Sequence, residues 1–123
     1  MNNSPLIIIL AILLTFFSMA AISGEVTIVD AKVNKTAEET YNFSVKLKHT
    51  DTGWDHYANR WQILTPEHQV LGTRTLHHPH VNEQPFTRSL GGVKIPADVS
   101  TIIIQARDSV HGVGAQKFIL KLP

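Results

Sequence analysis

Between Tyr41 and Lys48 the chain alternates without a break, with Tyr41, Phe43, Val45 and Leu47 set against Asn42, Ser44, Lys46 and Lys48. A repeat of two gives an extended ladder one buried and one wet face, whereas in a helix it would scatter the apolar set around the axis. The rest of the chain agrees with this stretch. Val- and Ile-rich residues 25–33, then 57–64, 70–76, 86–90, 93–95, 101–107 and 116–122, read as short strands. Turn chemistry separates them: Thr65-Pro66-Glu67-His68, Gly91-Gly92, Pro96-Ala97-Asp98 and the glycine-rich residues 108–114. The polar residues 35–40 are expected to connect. The apolar positions of the first strand change parity between Ile28 and Val29, as a bulge would require. No helical period is legible after residue 24. The expectation is an all-β, immunoglobulin- or fibronectin-like β-sandwich of about seven strands, with a small open barrel or jelly roll as the alternative.

The first two dozen residues follow another logic. Residues 6–17 are apolar apart from Thr15, and small residues follow before Glu25. That is the layout of a secretory signal peptide over residues 1–23, with cleavage expected after Ala20 or Ser23 and a single domain over 24–123. The leader carries no Lys or Arg, so an uncleaved membrane anchor is the alternative. All 11 Lys and Arg and all 10 Asp and Glu lie beyond residue 24. A nearly neutral domain with scattered charge argues against nucleic acid as a partner. The chain has 0 Cys, which excludes disulfide staples, thiolate ligands and acylation on cysteine. Export without cysteine suits a periplasm, or secretion.

Chemistry is most concentrated in residues 76–88, a segment holding His77, His78, His80, Glu83, Gln84 and Arg88 together with Pro79 and Pro85. Two prolines stiffen the backbone, and donors held in place lose less entropy on binding. In an extended segment His78 and His80 point the same way, about 6.6 Å apart at roughly 3.3 Å per residue. They can reach one ion, with Glu83, His56 or His111 completing the set. Both Met of the chain lie in the leader, so no sulfur is left for soft Cu(I), and imidazole and carboxylate favour Zn or Cu(II). A competing reading makes Arg74, Glu83 and Arg88 an ion network fastening the loop to the sheet. Trp61, by its parity with Ile63, is expected in the core, and Trp54 is the candidate exposed aromatic.

No catalytic constellation is legible. Ser109 and His111 lack a nucleophile's setting, and Gly112-Val113-Gly114 lacks the strand-to-helix context of a phosphate loop. Asp55, Asp108 and Glu83 near the histidines would suit a zinc hydrolase, but nothing in the sequence requires one. The expected role is therefore an exported periplasmic metal-binding protein, with an enzyme the less expected class. The alternative is an interaction module docking on a protein or envelope partner through the same rigid loop, with membrane contact only through an uncleaved leader.

The series Trp54-Asp55-His56-Tyr57-Ala58, Trp61, Leu71-Gly72-Thr73-Arg74, His78-Pro79-His80-Val81 and Glu83-Gln84-Pro85-Phe86-Thr87-Arg88 resembles a group of small exported bacterial proteins of unknown function. The resemblance runs from about Trp54 to Gly112. It implies export and one small domain, and carries over no site.

Overall fold

The computed structural model describes residues 25–123, so the expected leader lies outside the described residues. Eight strands follow in order: β1 Thr27–Ala37, β2 Thr40–Lys48, β3 Ala58–Leu64, β4 Val70–Thr75, β5 Phe86–Lys94, β6 Thr101–Asp108, β7 Gly112–Val113 and β8 Phe118–Lys121. They form two antiparallel sheets, one ordered β1-β2-β5 and the other β4-β3-β6-β7, with β8 also paired to β6. The sheets are open and packed face to face, a β-sandwich rather than a closed barrel.

The core follows from parity. Tyr41, Phe43, Val45 and Leu47 of β2 face Trp61 and Ile63 of β3 and Ile102, Ile104 and Ala106 of β6, all buried. Trp61 is 0% exposed, as its parity required. The parity change in β1 is real: its register against β2 shifts between Ile28 and Asp30.

The structure departs from the sequence reading most in β1 and β5, and a two-residue strand, β7, lies within the expected 108–114 connection. β1 runs to Ala37, because residues expected to connect instead continue the ladder to a tight turn where Glu39 adopts φ 58°. The two short pieces flanking Gly91-Gly92 are one strand, β5. The strand passes its glycines by a shift in register against Tyr41 and Phe43, with Gly92 at φ 65° and its N–H donated to Asn42 Oδ1 at 2.9 Å. A bulge absorbs the extra residue without ending the pairing.

β2 and β6 finish, and β3 and β5 begin, at one end of the sandwich: Leu47 lies opposite Phe86, and Ala58 opposite Asp108. Residues 76–85 cross between the sheets at this same end.

A candidate metal centre at one end of the sandwich

The inward rows do not stop with the apolar residues. Beyond Leu47, the same parity brings His49 and Asp51 to 3% exposure, and beyond Ala106 it brings Asp108 to 0%. His56 lies two residues before buried Ala58, in a short turn closed by an isolated bridge between Gly53 and His56. One end of the core is therefore built of imidazole and carboxylate.

The groups interlock. The Nδ1 of His49 is hydrogen-bonded to Asp51 Oδ1. His49 Nε2 lies 3.9 Å from Asp108 Oδ2, and His56 Nε2 lies 3.5 Å from Asp108 Oδ1. His56 Nε2 is buried without a hydrogen-bond partner. The rings of His49 and His56 meet edge to face at 4.8 Å, and those of His56 and His111 at 5.0 Å. Asp108 is the hub. Its Oδ1 accepts the backbone N–H of Val110 at 2.8 Å and of His111 at 2.6 Å, and the Nδ1 of His111 lies 3.1 Å from Oδ2. Burial pushes this carboxyl's pKa up, but the two backbone N–H groups and the His111 imidazole outweigh it and hold the group below its usual range.

His49, His56 and Asp108 each present one donor atom, and these lie within 4.8 Å of one another. Bonds of about 2.1 Å to a tetrahedral ion place donors about 3.4 Å apart. The His56–Asp108 edge of 3.5 Å already has that length. Closing an edge of 4.8 Å to that length takes a shift of about 1.4 Å, within reach of the side chain of half-buried His56. The set is two imidazoles and a carboxylate, with His111 at its outer rim, and it can hold a borderline divalent ion.

The five residues singled out by sequence as metal ligands fall into two groups. His56 and His111 belong to the Asp108 cluster. His78 and His80 sit side by side in the 76–85 crossing, ring centres 4.6 Å apart, with exposed Glu83 nearby. His80 is engaged on its own account: its ring stacks on Phe86 at 4.0 Å, and Arg88 Nη2 lies 2.8 Å from its Nε2. A guanidinium can only donate, so Nε2 accepts and a neutral His80 carries its proton on Nδ1. Burial, with Arg88 and His78 beside it, pushes the His80 pKa below 6.5. Arg88 Nη1 also meets Glu83 Oε1 at 3.3 Å, whereas Arg74 donates to the carbonyl of Ser89 at 2.9 Å. The network expected among Arg74, Glu83 and Arg88 is thus a Glu83–Arg88 pair, with Arg74 tied to backbone.

His49, Asp51 and the central role of Asp108 were not found by sequence reasoning. The signal was available: extending the alternation of β2 by four residues and that of β6 by two puts all three on the buried face. Trp54 is 67% exposed and meets Tyr57 edge to face at 5.7 Å, beside the His56 turn.

A protein named "Putative lipoprotein" from Halomicrobium mukohataei is 34% identical over 96 residues, which cover 78% of this chain and 47% of that protein. The chain thus spans about half the length of the curated relative it matches. No family model matches the chain, and no solved structure matches it.

Proposed function

We propose that the chain is an exported metal-binding protein whose centre is His49, His56 and Asp108, with His111 as outer ligand, taking Zn(II) or Cu(II). One observation carries this reading. The buried His56 Nε2 has no hydrogen-bond partner and faces a buried carboxylate across 3.5 Å, the length of an edge of a metal polyhedron. An ion seated between them would close that gap with two bonds. The absence of sulfur among the donors favours Zn(II) or Cu(II) over Cu(I). Exposure grades outward from Asp108 and His49, each with 0% side-chain exposure, through His56 at 23% to His111 at 34%, so an ion enters from the His111 side.

Export is supported by the apolar leader and by the name of the half-matching relative. With no cysteine to acylate, residues 6–22 are the part of this chain that would carry the address. The three-strand sheet facing a larger sheet of β4, β3, β6, β7 and β8 supports an immunoglobulin- or fibronectin-like class of sandwich.

Calorimetric titration of the untagged protein with Zn(II) and Cu(II) tests the reading. One ion per chain is expected, weakened more than about 100-fold by His56→Ala and unchanged by His78→Ala. Loss of binding in His78→Ala with retention in His56→Ala would move the centre to the 76–85 crossing. No binding tighter than millimolar in the parent chain would retire the metal reading in favour of a docking role for that crossing.

A further inference from the structure

We infer that Asp51, which donates no ligand, is the positioning residue of this centre, and that residues 76–88 act on the ion through it. The inference rests on the metal reading above and deepens it. Asp51 is 3% exposed and has both oxygens engaged. Oδ1 accepts from His49 Nδ1 and from the backbone N–H of Ala58 at 3.0 Å, and Oδ2 accepts the backbone N–H of His80 at 2.7 Å. A carboxylate bonded in this way only accepts, so the His49 Nδ1 must carry a proton. In the neutral ring the lone pair is then on Nε2, the atom turned toward Asp108. A carboxylate behind a ligating imidazole fixes its tautomer and raises its basicity.

The 76–88 segment grips both members of this pair. The Gln84 side chain accepts the backbone N–H of His49 at 2.9 Å through Oε1, and its Nε2 donates to the carbonyl of His80 at 3.0 Å. His80 is held in turn by Phe86 and Arg88, and its N–H ends on Asp51. In the geometry seen here, the backbone of His80 and the side-chain amide of Gln84 aim a ligand.

Two measurements test this. In the metal-free parent protein, nitrogen-15 NMR of the histidine rings, at a pH where they are neutral, should find His49 protonated on Nδ1 and bare on Nε2. In Asp51→Asn, the affinity for Zn(II) should fall about 10–100-fold, and the visible spectrum of the Co(II)-loaded protein should change in band position and intensity. A purely structural Asp51 would lower stability yet leave the folded protein's affinity and Co(II) spectrum unchanged, which overturns the inference. A His49 protonated on Nε2 in the parent chain overturns it too, and decides the matter if the variant does not fold. If the parent binds no Zn(II) while His49 shows the expected tautomer, the metal reading falls and the control of His49 by Asp51 stands.

Discussion

Three buried residues build the His–Asp cluster at one end of the sandwich, and each is the polar continuation of an apolar row. His49 and Asp51 extend Tyr41, Phe43, Val45 and Leu47; Asp108 extends Ile102, Ile104 and Ala106. Sequence alone singled out His56 and His111, which the structure places in the Asp108 cluster, because histidines in turn-rich connections stand out. It passed over His49 because the pattern was taken to end where the apolar residues ended. Nothing in the linear order shows that Arg88 reaches back to His80 or that Asp51 receives the His80 N–H, since those contacts depend on the crossing between the sheets.

His80 gives a pH signature at this scale. Its folded pKa lies below the unfolded 6.5 because of burial, with Arg88 and His78 adding to it. The unfolded chain therefore takes up the proton first. Stability is full above pH 6.5 and falls as the pH drops below it, until the folded ring protonates as well. Asp108 acts in a separate window: its stabilisation is present above 3.8 and is lost as the pH falls through its lower folded pKa. Urea unfolding across this range, with chelator present, should show the first decline weakened in His80→Gln and the second unaltered. An identical first decline in both proteins would clear His80 of responsibility for it.

At the scale of elements, strand existence was legible and strand limits were not. Every predicted stretch of alternation contains a strand, because a buried face imposes the repeat of two whatever the partner. Gly91-Gly92 read as a stop for want of the tertiary information that β2 continues alongside. Gly92 is held at φ 65° with nothing within 4 Å of a Cβ, so Gly92→Ala tests backbone conformation with little steric confusion. A loss of about 1 kcal/mol is expected in urea unfolding, with metal affinity unchanged, because the bulge lies away from the His–Asp end. Gly53 makes the contrast. At φ 146° it opens the turn that carries His56, so Gly53→Ala should weaken Zn(II) binding as well as folding.

At the scale of the whole molecule, the two sheets share a core centred on Trp61, and no disulfide reinforces it. Trp61→Ala should cost about 3–5 kcal/mol, enough to unfold much of a small domain near physiological temperature, as differential scanning calorimetry would show. An ion bound at the His–Asp end, where three strand ends converge, would stabilise the fold by mass action. At a free concentration 100 times Kd it adds about 2.7 kcal/mol, so Tm should rise with Zn(II) and fall back on adding chelator. A site as buried as Asp108 exists only in the folded chain, which makes this shift a measure of folding as well as of binding.

The two tryptophans, one at 0% and one at 67% exposure, divide the molecule's light emission between them. Trp61 emits from a dry interior and shifts to the red only when the sheets part. Trp54 emits from water two residues from His56, where a paramagnetic Cu(II) would darken it. Cu(II) loading should therefore dim the long-wavelength component, while denaturant moves the short-wavelength one, so that a single emission spectrum separates occupancy from collapse without any attached dye.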